Sequence, residues 1–466
     1  MSGEKFESSY QASEQDNLDK YMRSLKGPWV GVPEFVTFDR DASHTKIDQL
    51  KEGIKSEISV DPKNVDADAE QSHRLIEELY DTYEGKSGND QDYGRMFMVT
   101  RRGHMADNNV YASESAKHSP LASQKNGVSS EMRMREQFGW PPAVIETYTK
   151  SSAKNERGAV LLAPLYADME FLLSREEQMK VGAIALRETV KLAQQLGAEV
   201  VGLGALLPKI TKFGSLIKYL DLPDLDKLTT TTGHGGTVHL IVETAKQARE
   251  AIDLEEGENI GVVGAAGSIG WSSISTILDQ MPGHGVEAFD VRQEVLNEKI
   301  YTNNAESMVK PGNSLIDVLN NNRLIVSAVT DVIDLDKEEQ THDTLIDLNG
   351  KIIIDDSQPG CFDREQVEIR GGRLLWVAGR DESANRFMTR DGKYTGEPYN
   401  YGDESGLYLP DTEFGCGLEA GVIAWSGRKD LAITGPVTPE NVRDIGKLFK
   451  DAGVGVAAPQ SFGRPA

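Results

Sequence analysis

The chain has 466 residues, of which 38% are hydrophobic and 27% charged, and its formal net charge is −24. That length predicts two or three domains rather than one core. The acidic balance weighs against a nucleic-acid partner, because phosphate binding draws on Lys and Arg, and no apolar run approaches the roughly 18 residues of a membrane-spanning helix.

The expectation is therefore a soluble protein, and with no basic-then-apolar leader after Met1 the expected location is cytoplasmic. The two cysteines, Cys361 and Cys416, cannot build a disulfide framework or, alone, a zinc site. No metal is expected, and one thiol is left as a candidate for chemistry.

Residues 1–94 carry about ten of the net negative charges and read as an acidic, partly disordered extension. Within it, 29–38 predicts a strand, and 66–83 a helix with Leu75, Ile76, Leu79 and Tyr83 on one face. An α/β substrate domain is expected over 95–235, with strands at 96–99, 141–148 and 158–163. Ser174 and Glu177 form a capping box ahead of a helix striped by Met179, Ala183, Leu186, Val190 and Ala193 and stopped at Gly197. A strand at 199–204 follows, and this alternation implies a parallel sheet. Residues 229–237, rich in Thr and Gly, predict a flexible polar loop before a helix that buries Val238, Ile241, Val242, Ala245, Ala248 and Ile252. A helix start of that composition either caps itself or holds an anion or carbonyl oxygen on free amides.

A dinucleotide-binding domain is expected over 236–400. The apolar run at 259–263 ends in Gly264-Ala265-Ala266-Gly267-Ser268-Ile269-Gly270 and enters a helix. This G-x-x-G-x-x-G differs by one place from the common G-x-G-x-x-G fingerprint, and the physics is shared. One glycine makes the tight turn, one lets backbone approach a pyrophosphate, and one lets helix pack on strand. After the next strand, at 286–291, Asp290 suits an adenosine ribose as in NAD, and Arg292 suits a 2'-phosphate as in NADP; these residues leave the choice open. Strands at 324–329 and 351–356 put Ser327 and Asp355 at carboxyl ends, where cofactor or substrate gathers, or as strand-end caps.

After a long polar stretch at 381–413, residues 401–466 form a C-terminal helical segment. One helix spans 414–425 and carries Cys416; Thr438 with Pro439 opens another through Leu448 and Phe449. The class is α/β: a Rossmann-type domain with a parallel sheet, an N-terminal α/β substrate domain and this helical segment. Cys416 is either an acyl-accepting nucleophile, needing a helix N-terminus or a cation to activate it, or an inert buried thiol. His104, His234 and His239 are candidate bases or structural residues. Leu161, Leu162, Phe171, Leu172 and Leu173 either line an apolar tunnel or pack a core.

In order along the chain, Pro141-Pro142-x-Val144-Ile145, Thr231-Thr232-Gly233, Gly264 to Gly270, Ile353-Ile354-Asp355 with Pro359, and Phe414-Gly415-Cys416-Gly417-Leu418-Glu419-Ala420 are similar to the long-chain acyl-(acyl carrier protein) reductases of cyanobacteria. The resemblance runs from about residue 96 to the C-terminus. The nucleotide domain of that family is related to those of glutamyl-tRNA reductase and shikimate dehydrogenase. The resemblance implies that Cys416 takes the acyl chain from acyl carrier protein or acyl-CoA, that Arg292 turns the cofactor choice to NADPH, and that a fatty aldehyde is released, with an aldehyde-consuming enzyme as a further partner. Thr232 and His234 are the other expected catalytic residues, in a loop whose amides and hydroxyls stabilise an oxyanion. The chain departs from the family at His234-Gly235-Gly236, at 203–208, which lacks the expected Ser or Thr, in the longer stretch at 378–409, and in its acidic extension. Two alternatives from other classes are a dehydrogenase of a small hydroxy or carbonyl acid, and a non-catalytic nucleotide-sensing or carrier-binding protein.

Overall fold

The computed structural model describes residues 39–57, nine positions between 69 and 84, 94–101, 141–150, 156–166, 175–381 apart from 221, 330, 358 and 359, 384–387, 399–400, 407–408, 412–461 and 464–465. The expected strand at 29–38 lies outside these, as do Leu75, Ile76, Leu79, His104, Phe171, Leu172, Leu173, Ser174 and Pro359. Part of the acidic extension is ordered: helix α1 (Arg40–Glu57) packs Ile47 against Ala69, Tyr80 and Tyr83. The Tyr83 hydroxyl donates to Glu188 of α2 (Arg175–Gln195), which docks the extension on the body.

The first sheet begins with β1 (Arg95–Arg101), β2 (Ala143–Lys150), β3 (Glu156–Tyr166), β4 (Val200–Leu203) and β5 (Thr229–Thr231). Strands β3, β1, β4 and β5 run parallel, while β2 pairs antiparallel with β3. The sheet is thus mixed where αβ alternation alone implied parallel. The stripe on α2 is as expected where its side chains are described: Ala183, Leu186, Val190 and Ala193 are buried. The expected loop at 229–237 is a sheet edge followed directly by α3 (His234–Ala251). Thr231 and Thr232 are fully buried, because at that edge the Thr231 hydroxyl and the Thr232 N–H both find partners. Inside α3 the expected face, Val238, Ile241, Val242, Ala245, Ala248 and Ile252, is buried.

The second unit alternates strictly: β6 (Ile260–Val263), α4 (Ser268–Gln280), β7 (Val286–Phe289), α5 (Gln293–Thr302), β8 (Val309–Pro311), α6 (Leu315–Asn321), β9 (Leu324–Ser327), α7 (Leu335–His342), β10 (Ile352–Asp355), α8 (Arg364–Ile369) and β11 (Arg373–Trp376). All six strands are parallel, in the order β11-β10-β9-β6-β7-β8. Counted from β6 this is the 3-2-1-4-5-6 order of doubly wound dinucleotide-binding folds, with the switch point between β6 and β9. The runs Ile260–Val263, Leu324–Ser327 and Ile352–Asp355 are buried at every position, as strands covered on both faces must be.

After β11 the chain leaves the second sheet. Strand β12 (Gly379–Asp381) pairs antiparallel with β14 (Thr412–Glu413) and β15 (Val454–Val456), while β13 (Ala384–Phe387) returns to the first sheet and pairs with β2. The second sheet therefore ends at Trp376. The helices expected in the C-terminal segment at 401–466 are built into the body. Helix α9 (Gly415–Ser426) is buried almost all round and packs on β1, β4 and α3, and α10 (Pro439–Asp451) packs on α3, α4 and α9. A helix apolar on every side has to be enclosed, and here α3 and α9 fill the space between the sheets. Among the described residues, no helix is long and apolar enough to cross a membrane.

Candidate active site

The glycine loop does what its spacing predicts. Gly264 has φ of +79°, and a Cβ there would meet the Ala328 carbonyl oxygen at 2.5 Å. Gly267 is the N-cap of α4, and a Cβ on Gly270 would collide with the Gly264 carbonyl, so helix and strand are in backbone contact. Ala265 and Ala266 are buried beneath the turn, while Ser268 and Ile269 are half-buried in the first helical turn. Amides of a first turn have no partner within their own helix and, with the helix dipole, favour an anion. The cradle left by the three missing side chains fits a pyrophosphate.

Asp290 follows β7 and is nearly enclosed. Its Oδ2 accepts from Ala266 N–H at 2.9 Å, and its Oδ1 accepts from Arg292 N–H at 2.9 Å and Arg292 Nε at 3.1 Å. Burial opposes its charge, but the bonds from Arg292 and Ala266 outweigh that and hold the carboxyl below its usual range. Lys299, on α5, stands over the Trp271 ring at 5.7 Å; burial, then the Arg292 cation, push its ammonium down. Two cations thus flank one engaged carboxylate.

Ser327 and Asp355 sit at the ends of β9 and β10 as expected, but the expected cofactor contacts are corrected. Both are fully buried. Ser327 Oγ meets Cys361 Sγ at 2.9 Å, and the Asp355 carboxylate accepts from the N–H groups of Ser357 at 2.8 Å, Cys361 at 2.7 Å and Phe362 at 3.3 Å. These side chains cap the strand ends and hold the next loop. Cys361 belongs to that cluster, and burial pushes its thiol well up.

Cys416 is the second residue of α9, half-buried beside Phe97, Val99, Val160 and Leu162. Strand alternation puts Leu162 on this face and Leu161 in the core on the other. The Gly417 N–H and the Thr237 hydroxyl act to lower the sulfur's pKa. Burial, and then the carboxyls of Asp356 and Glu413, outweigh them and push the thiol up. Glu413 is not free to act alone, because buried Arg95 donates to it at 3.1 Å and to the Gly417 carbonyl at 2.7 Å while stacking over Trp425 at 4.7 Å.

Glu419 lies three residues after Cys416 and is fully buried. The N-cap of α3 is Gly233, at φ +71° and without a capping side chain of its own. Glu419 supplies the cap from the neighbouring helix: it accepts from Gly236 N–H at 2.6 Å and from the Thr231 hydroxyl. Burial pushes this carboxyl up to about 7, against the pull of Thr231 and the Gly236, Gly235 and Gly233 amides. His234 begins α3; its Nδ1 is 3.4 Å from Ser268 Oγ in the glycine loop, and burial lowers it to about 4, so it is neutral near pH 7.

Cys416, the Thr231–Thr237 turn, His234 and the glycine loop are therefore gathered at one place. Thr232 shapes that turn from beneath, fully buried, its N–H donating to the Ile433 carbonyl at 2.8 Å. His239 packs edge-on against Phe449 at 5.3 Å and belongs to the α3–α10 contact. The sequence reading did not name Glu419, Asp356, Glu413, Arg95 or Lys299 as functional. Only Glu419 left a local signal, as the one acid in an otherwise apolar helix.

No family model and no curated protein matches the chain. Among solved structures, it is similar to an imine reductase from Myxococcus stipitatus in complex with NADP+, at 19% identity over 26% of this chain and 40% of that one, with a TM-score of 0.19. It is similar to a dipicolinate synthase from Bacillus halodurans at 15% identity over 39% of this chain and 60% of that one, TM-score 0.25. A third is the apo D-mandelate dehydrogenase of Rhodotorula graminis, at 15% identity over 40% and 59%, TM-score 0.22. The chain thus spans about half the length of these proteins, and the fold assignment stands on its own strand order.

The Glu419 cap carries a pH signature. Its folded pKa of about 7 lies above the ordinary 4.5, so its stabilising contribution is complete below pH 4.5 and is lost as pH rises through 7. Urea unfolding of wild type should weaken between pH 5 and pH 8 by up to about 3 kcal/mol more than that of Glu419→Gln, which stays neutral. Parallel stability curves for the two proteins would contradict the assignment.

Proposed function

We propose that this chain is an NADPH-dependent reductase that accepts an apolar acyl group from a thioester, of acyl carrier protein or of coenzyme A, on Cys416 and releases it as an aldehyde. The observation that carries the reading is the surroundings of Cys416: a thiol at a helix start, with an amide and a hydroxyl acting on its sulfur and an apolar wall beside it. Gly233 lies against that cysteine, and the next residue, His234, reaches Ser268 of the glycine loop. The ordered resemblance to the long-chain acyl-(acyl carrier protein) reductases supports the same reading.

The parts divide the work. Gly264, Gly267, Ser268, Ile269 and Gly270 would hold the pyrophosphate on backbone amides. Because Asp290 is already engaged by Arg292 and Ala266, the charge open to the adenosine end is that of Arg292 and Lys299, which suits a 2'-phosphate. Bound there, NADPH supplies the hydride that reduces the acyl group. Phe97, Val99, Val160 and Leu162 exclude water beside Cys416 and accommodate an apolar chain. The Gly417 amide and Thr237 hydroxyl favour the ionised sulfur during attack and departure. His234, neutral, orients the glycine loop against the turn.

Incubated with palmitoyl-CoA and NADPH, wild type should form aldehyde, and Cys416→Ala should lose at least about a thousandfold of that rate with NADPH affinity kept. Undiminished aldehyde from Cys416→Ala would refute the acyl-enzyme. Arg292→Ala should weaken NADPH at least about tenfold more than NADH, the worth of one charge-assisted bond to phosphate. An equal loss for both cofactors would remove Arg292 from the 2'-phosphate site.

A further inference from the structure

Building on the reading of Cys416 as the acyl acceptor, we propose that Arg95 is the positioning residue of that cysteine. One buried guanidinium holds the start of α9 on both sides of Cys416 and offsets the charge of Glu413 beside it. Arg95 is the first residue of β1, and its side chain is enclosed. It lies along a single face of α9. Nη1 donates to the Gly417 carbonyl at 2.7 Å, and the guanidinium carbon stands 4.7 Å from the centre of the Trp425 ring. Between these two, a Cβ on Gly421 would overlap Nη1. Residues 417, 421 and 425 share one helix face by their i, i+4 spacing, and the two glycines leave bare backbone for a planar cation to lie against.

The other end of the guanidinium takes the residue before the helix. Nη2 donates to Glu413 Oε2 at 3.1 Å, and a Cβ on Gly417 would overlap Oε1 of the same carboxylate. Glu413 and Gly417 bracket Cys416 in the chain, so the backbone is gripped on either side of the sulfur. Cys416 and Trp425 pack on one apolar wall, of Phe97, Val99, Val160 and Leu162. Phe97 and Val99 come from the strand that Arg95 begins. The strand that supplies the wall therefore also supplies the grip.

Stability alone does not call for such a pair, since well-packed apolar residues often replace a buried ion pair without loss. The charge is accounted for by what stands next to it. Glu413 is buried too, and an unpaired carboxylate there would oppose ionisation of Cys416 in surroundings that screen little. Held by Arg95, it opposes less. The other ionisable groups near the sulfur are placed differently. Asp356, after β10, also acts against the thiolate; Glu419, on α9 itself, caps α3, and His234 of α3 faces Ser268. Of the carboxyls, Glu413 is the one that Arg95 holds.

The test follows alkylation of Cys416 by iodoacetamide in the full chain, by peptide mass spectrometry near pH 8, beside its acylation by palmitoyl thioesters of coenzyme A and of acyl carrier protein without NADPH. Glu413→Gln keeps an acceptor for Arg95 but leaves the cation uncompensated. It should speed alkylation at least about threefold and move its pH profile to lower pH, the gain in thiolate being partly offset by weaker nucleophilicity. Arg95→Met leaves Glu413 unpaired and should slow alkylation at least about threefold. The double variant, Arg95→Met with Glu413→Gln, should return to the wild-type rate or above, because the two charges leave together.

A pair that only holds the fold gives no gain in Glu413→Gln. Unchanged or slower alkylation in that variant would overturn the role of Arg95, and it decides the matter even where Arg95→Met fails to fold. A folded Arg95→Met protein alkylated as fast as wild type would overturn it equally. Wild type and variants that keep this order in alkylation but take no acyl group from either thioester would leave Arg95 in its role and overturn the acyl-enzyme reading itself.

Discussion

The arrangement depends on a carboxylate buried against the end of a helix that is not its own. Glu419 of α9 takes the place of the missing side-chain cap of α3. An isolated buried carboxylate would cost several kcal/mol, and only hydrogen-bond donors and the positive end of the α3 dipole offset that. For the carboxylate to reach those amides, the two helices must touch through backbone. Gly233 lies against Cys416, and Gly236 against Gly415, so closely that a Cβ at either position would overlap the other helix. The contact that caps α3 is thus the contact that holds Cys416 beside the Thr231–Thr237 turn. The same carboxylate binds the edge of the first sheet through Thr231, and Thr231 in turn accepts from Ile433 N–H at 3.1 Å. One side chain thus ties α9 to the start of α3 and to the edge of the first sheet.

Around the sulfur, opposing fields are nearly in contact. An amide and a hydroxyl favour the thiolate; burial and two carboxyls oppose it and prevail. Arg95 keeps the opposition from being greater by pairing with Glu413 in the interior. The result is a thiol held well above its usual pKa range. A thiol so held resists oxidation, since reactivity follows thiolate character.

Legibility in the sequence followed the range of the interactions. The path from β6 through the glycine turn to α4 is local, so apolar run, glycine spacing and helix start were all readable within 22 consecutive residues, 259–280. The Thr438 cap with Pro439 was readable for the same reason. What was not readable joins distant parts. Strand β13 finds β2 across more than 230 residues, and Arg95 finds Glu413 across 318; an arginine before an apolar strand looks the same in sequence whether solvated or enclosed. Asp355 was readable as a strand-end residue, but the amides it holds, of Ser357, Cys361 and Phe362, belong to the loop beyond the strand. Ser327 was placed at the right strand end, but its partner is Cys361, which only the loop after β10 brings to it.

The account stands or falls on whether the thiol and the nucleotide loop serve the same acyl group. The most direct measurement is a single turnover: full-length protein is loaded with palmitoyl-CoA without reductant, freed of excess thioester, located by peptide mass spectrometry, and then mixed with NADPH. The account predicts one palmitoyl adduct on Cys416 that disappears on mixing, with one equivalent each of aldehyde formed and NADPH oxidised. An adduct that survives NADPH, or one carried by another residue, would contradict it.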